Sequence, residues 1–158
     1  MTRCAARLLL LIALAVGPAR ADCFDWDDVP MLDQGTMAGV PTGPLRWRIG
    51  RNPAGGAHLA TAVDVTWTGP DGIARRQALF EGIQDGQPRL RARQGGLSLR
   101  IDYCETGRDV CHAVTLTYGW DRTAQRFFGT NRAARESLAA ACGSLPEPVP
   151  PAASEPAP

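Results

Sequence analysis

The stretch Cys104-Glu105-Thr106-Gly107-Arg108-Asp109-Val110-Cys111 holds the sharpest chemical candidate in the chain, two cysteines enclosing four polar residues and a glycine. A disulfide across its neck orders the loop in advance, so a charged tip docks on a partner with less entropic loss. Glu105, Thr106, Arg108 and Asp109, with His112 just outside the clamp, are therefore the candidate partner-binding residues. The catalytic inventory is thin by comparison. There is no GxSxG, HExxH, P-loop, GxGxxG or CxxC pattern. The two histidines are His58 and His112; His112 falls beside Tyr103 on an apolar face, as a core-edge residue would. Past residue 21 the serines are Ser98, Ser137, Ser144 and Ser154, and none falls at a strand-to-helix elbow. All 17 cationic side chains are arginine, which removes any lysine nucleophile or base. Paired carboxylates for glycan hydrolysis are the one enzymatic option left, from Asp25, Asp27 and Asp28 or from Glu105 and Asp109. The expectation is no catalytic residue, no metal and no cofactor.

A loop of this kind needs a rigid hairpin beneath it. If Cys104 faces Cys111, antiparallel pairing places Tyr103 opposite His112, Ile101 opposite Val114, Leu99 opposite Leu116 and Leu97 opposite Tyr118. All four pairs then share one face, and a one-residue slip would set large apolar residues against polar ones. Upstream, Leu45-Trp47-Ile49 alternates with Arg46 and Arg48, and Leu59, Thr61, Val63, Val65 and Trp67 line one face of a second strand. Gly69-Pro70-Asp71-Gly72 is a turn into a return strand from about Ile73 to Phe80, and a short segment follows near Arg89 to Arg93. Arg46, Arg48, Arg75, Arg76, Arg89, Arg91, Arg93 and Arg100 fall on solvent-facing sides, where an acidic ligand or the acidic head (residues 22–33) can meet them. Residues 34–44, with five Gly or Pro, read as loop.

After a return strand from Gln125 to Phe128, Asn131 to Cys142 is the one helix, with Thr130 or Asn131 as its cap and Gly143 as its stop. With Cys104–Cys111 assigned, Cys142 pairs by elimination with Cys23. The loop-entropy account values that long bridge at about 4–5 kcal/mol and the short one at about 2–3. Residues 144–158 contain six prolines and no aromatic residue, and read as a disordered tail. The expected fold is mainly β (α+β), an antiparallel sheet of about six or seven short strands with one C-terminal helix and two disulfides. Its domains are residues 1–21 as a signal peptide, 22–143 as one domain and 144–158 as the tail.

The first 21 residues have the form of a secretory signal: Arg3 and Arg7, an apolar run from Leu8 to Val16, and Ala19-Arg20-Ala21 as cleavage site. The run is shorter than the ~20 residues a membrane span needs. Cleavage after Ala21 implies export to the periplasm, where cysteines are oxidised. It removes Arg3, Arg7, Arg20 and Cys4, so 17 cations become 14 against 16 acids, and the net charge goes from +1 to −2. That balance argues against nucleic acid as a partner.

The cysteine-clamped loop followed by an apolar strand and hairpin, about Tyr103 to Phe128, resembles the periplasmic inhibitors of vertebrate-type lysozyme. The resemblance is of device rather than membership, and implies a loop presented to an enzyme's catalytic cleft. Small periplasmic immunity proteins against cell-wall-degrading toxins have a similar build. The expected function is a non-catalytic periplasmic binding protein, inhibitor-like or immunity-like, whose partner is another envelope protein such as a lytic enzyme or toxin. The alternatives are a structural or assembly component of an envelope machine, and a carboxylate-based cell-wall glycan hydrolase.

Overall fold

The computed structural model describes residues 24, 26–27, 29–52, 60–104 and 110–150. His58, Asp25 and Asp28 lie outside that set. Strands β1 (Met31–Met37), β2 (Leu45–Asn52), β3 (Ala60–Thr68), β4 (Ala74–Ile83), β5 (Arg89–Arg93), β6 (Gly96–Cys104), β7 (Cys111–Asp121) and β8 (Arg126–Gly129) precede helix α1 (Arg132–Ala140). A two-residue strand, β9 (Glu147–Pro148), follows the helix. The strands form two antiparallel sheets, one ordered β1-β2-β3-β4-β9 and the other β5-β6-β7-β8. The expectation of one sheet of six or seven strands is corrected to two sheets and nine described strands.

The two additional strands have physical reasons for being hard to foresee. β1 buries no large side chain, so it lacks an apolar alternation; it pairs with β2 and sets Gly35 against the ring of Trp47. β9 lies in the proline-rich segment expected as tail, yet Arg75 pairs with Pro148 and the Val149 N–H donates to the Ala74 carbonyl at 2.9 Å. Proline is tolerated there because β9 is an edge strand. Residues 151–158 lie outside the described set.

The sheets face each other across one core. Leu45, Ile49, Val63, Val65, Trp67 and Leu79 enter from the first sheet, and Leu97, Leu99, Leu116, Tyr118 and Phe127 from the second. Trp67 meets Trp120 and Phe127 edge-on, with ring centroids 5.3 and 5.8 Å away, an arrangement aromatic pairs favour. Gln77, fully buried, exchanges two hydrogen bonds of 2.9 Å with the Phe127 backbone and gives a third to the Ser144 carbonyl. Every polar atom it brings inside is thus engaged, as burial demands.

A bulge in β4 fastens the layers. Val63 pairs with Phe80 and Asp64 with Ala78, so Leu79 has no ladder partner among the described residues. Its carbonyl accepts from the Tyr118 hydroxyl at 2.7 Å and from the Ser137 hydroxyl at 2.9 Å. One carbonyl released by a bulge therefore holds the first sheet, the second sheet and α1 together. Burial pushes the Tyr118 hydroxyl up from its ordinary value, so it stays protonated and donating. The Asn131 side chain caps α1 by accepting from the Ala134 N–H, as the sequence predicts. The helix end is corrected from Cys142 to Ala140: Ala141 is extended and ends the helix, and Gly143, with a φ of 70°, turns the chain only after that stop.

Candidate functional site

The hairpin β6–β7 has the register inferred from the sequence, from Leu97 opposite Tyr118 through Tyr103 opposite His112 to Cys104 opposite Cys111. The two cysteines are bonded, with Cα atoms 4.0 Å apart. Glu105, Thr106, Arg108 and Asp109, four of the five loop candidates, lie outside the described residues. What is described is the base from which they leave. Asp85 accepts the Cys104 N–H at 2.7 Å while its own N–H donates to the Asp102 carbonyl at 2.8 Å. The connection between β4 and β5 thereby braces the outer edge of the hairpin just below the clamp.

His112 shares the core-side face with Tyr103, as expected, but the placement at the core edge is corrected. Burial ends one pair earlier, at Ile101, and both Tyr103 and His112 are exposed. Tyr103 and Val110 each leave about half of their surface in solvent (44% and 46%). The hairpin therefore runs past the overlap of the sheets and carries an aromatic ring, an imidazole and an aliphatic side chain around a covalently fixed neck. Such a group suits contact with a partner, because aromatic anchors on a preformed support lose little entropy on docking.

A second cluster lies on the outer face of the first sheet and was not foreseen. Asp64 of β3 is buried, with Arg48 donating to its Oδ2 at 2.9 Å and the Arg76 guanidinium 3.8 Å away. Burial holds its carboxyl above the usual range, outweighing the two arginines, which pull it down. The Arg48 guanidinium lies 3.8 Å from the Trp26 ring centre, and Trp26 and Phe24 rest on Gly50, where a Cβ would meet both rings at under 3 Å. Glu81 accepts from the Phe24 N–H at 2.6 Å with one oxygen and from the Cys142 N–H at 2.9 Å with the other. The acidic head thus meets a sheet arginine through the aromatic ring of Trp26. Both carboxylates border a cleft of about 190 Å³, and both are held by groups of the fold itself.

The sequence carried a signal for Asp64: with Val63 and Val65 facing inward, it must face outward, directly opposite Arg48. Cys142 is disulfide-bonded, and Cys23, its expected partner, lies outside the described residues. Among the described residues no three His, Cys, Asp or Glu side chains converge as a metal site would require. No helix among them is long and apolar enough to cross a membrane.

Comparison with known protein families, curated proteins and solved structures finds no match.

Proposed function

We propose that this is a non-catalytic binding protein of the bacterial periplasm that presents its clamped hairpin end to another envelope protein, in the manner of an inhibitor or an immunity protein. The observation that carries the reading is the disulfide-bonded neck with Tyr103, Val110 and His112 exposed beyond the core. Glu105, Thr106, Arg108 and Asp109 supply the charged tip, and a lytic enzyme or toxin is the target class. An oxidised hairpin suits export by residues 1–21 to an oxidising compartment. The engagement of Asp64 and Glu81 within the fold favours binding over glycan hydrolysis.

The second disulfide belongs to the same reading. Glu81 holds the amides of Phe24 and Cys142 on one carboxylate, and Cys23 immediately precedes Phe24. The bridge from Cys142 is therefore assigned to Cys23, tying the head of the mature chain to the end of α1.

The test uses the mature oxidised chain beside a Tyr103→Ala/Arg108→Ala/Asp109→Ala variant. Each is assayed for capture of periplasmic lytic enzymes and for inhibition of peptidoglycan lysis. The native protein should bind and inhibit, and the variant should lose about tenfold or more in affinity at unchanged melting temperature. Equal capture by both would overturn the loop assignment. Lysis by the protein alone, abolished by Asp64→Asn or Glu81→Gln, would replace it with the hydrolase.

A further inference from the structure

The outer face of the second sheet carries four arginines on β5 and β6, and only one of them, Arg100, has an acidic partner among the described residues. Leu90 points into the core, so its neighbours on β5, Arg89, Arg91 and Arg93, all point outward. Arg89 is directly opposite Arg100 of β6, and Arg91 is opposite Ser98. Like charges set opposite each other across a sheet are destabilising. Among the described residues Arg89, Arg91 and Arg93 have no ion pair, and Arg100 has one, to Asp102 at 3.6 Å. The whole chain has a formal net charge of +1, so this concentration is a matter of placement rather than composition. Protecting an edge strand takes a charge or two along it. It does not call for an arginine on the neighbouring strand facing one of them.

The rest of the face combines hydroxyl side chains with one aromatic ring among the described residues. Arg89, Arg91, Ser98, Arg100 and Thr115 line a depression of about 210 Å³. Further across the sheet, the ring of Phe128, 44% exposed, lies over Gly119, where an added Cβ would come within 2.7 Å of it. Alternate residues of a strand recur about every 6.7 Å, so the three arginines of β5 form a row about 13 Å long.

We propose that this face binds an anionic polysaccharide. The arginine row suits a linear polymer with repeated carboxylate or sulfate groups, each met by a planar guanidinium fork. The hydroxyls of Ser98 and Thr115 suit sugar hydroxyls, and Phe128 offers an apolar platform for a sugar ring. Single-stranded nucleic acid, the rival polyanion, is gripped through several aromatic side chains that stack successive bases. Among the described residues the arginine face presents one exposed ring, that of Phe128, which favours the glycan.

The experiment is titration of the full mature protein with heparin and with polygalacturonate, using neutral dextran and oligo-dT as comparators. The expected result is salt-sensitive binding of both acidic glycans, none of dextran, and weaker binding of oligo-dT. Arg89→Ser/Arg91→Ser should lower glycan affinity by about tenfold or more, the scale of two lost charge-assisted contacts. Its melting temperature should stay level or rise, because the Arg89–Arg100 opposition is gone. Phe128→Ala should weaken glycan binding as well. No binding by the native protein, or undiminished binding by the double arginine variant, would overturn the proposal. Tighter binding of oligo-dT than of either glycan would overturn the class of partner. Self-association of the double variant with unchanged glycan affinity would leave these arginines as edge guards and overturn the proposal too.

Discussion

Tyr118 and Ser137 donate to one acceptor, the Leu79 carbonyl that the β4 bulge takes out of the ladder. Tyr118→Phe removes one donor and almost no apolar surface, and Ser137→Ala removes the other. Either single change leaves the carbonyl with a partner, so each should cost about 0.5–1.5 kcal/mol, the ordinary net value of one hydrogen bond. The double change is different in kind. Leu79 is fully buried, and its carbonyl then has no hydroxyl partner, which adds a desolvation penalty of about 1–3 kcal/mol. The loss in the double variant should therefore exceed the sum of the singles by about 1 kcal/mol or more, within the range seen for residues that share a partner. For a domain of this size each kcal/mol is about 3–6 °C in melting temperature. Urea unfolding of the mature oxidised protein and its three variants gives the four corners of the cycle. Additivity to within about 0.5 kcal/mol would refute the shared-acceptor account. So would a Tyr118→Phe loss equal to that of the double variant.

Two further outcomes test other parts of the structure. Burial raises the folded-state pKa of Asp64 above its unfolded value of 3.8, so the folded protein holds this proton more tightly. Stability from this group is therefore greatest at acid pH and declines as pH rises through the window from 3.8 to the folded value. Asp64→Asn should flatten the decline and cost nothing at pH 7, as followed by urea midpoints from pH 4 to 7. A marked loss at pH 7 would mean that Arg48 and Arg76 outweigh desolvation. Peptide mapping of the mature chain without reduction should find Cys23 joined to Cys142 and Cys104 to Cys111, and a crossed linkage would break the Glu81 argument.

The hairpin register was readable because two constraints coincided. Alternation placed Leu97, Leu99 and Ile101 on one face, and the cysteines fixed which residues opposed them. β5 was found at its observed bounds because turns marked by Gly86 and Gly95 enclose it. β1 stayed hidden because strand recognition depends on buried alternation, and this edge strand offers only Leu32 and Met37, five positions apart and each half-buried against the core. The division into two sheets was hidden for a related reason. A period of two tells which face of a strand is buried and says nothing about what buries it; Trp67 could have met a helix as well as Trp120. His112 shows the same gap, since its face was correct and its burial depended on where the opposing sheet ended.

The functional surfaces differ in legibility because net charge and charge placement are separate quantities. A near-neutral chain argues against polyanion binding if its charges are mixed, and on the outer face of the first sheet they are. There Arg48 and Arg76 share Asp64, and the Trp26 ring covers Arg48. The second sheet breaks that premise, since Arg89, Arg91 and Arg93 point one way with no acid at salt-bridge distance among the described residues. An attractive field therefore exists on one side of a molecule whose total charge hides it. The same registers that reveal the hairpin end also reveal this segregation: once Arg89 is known to oppose Arg100 and Arg48 to oppose Asp64, one face is neutralised internally and the other is left for a ligand. Pairing partners, more than residue counts, decide which arginines are available to bind.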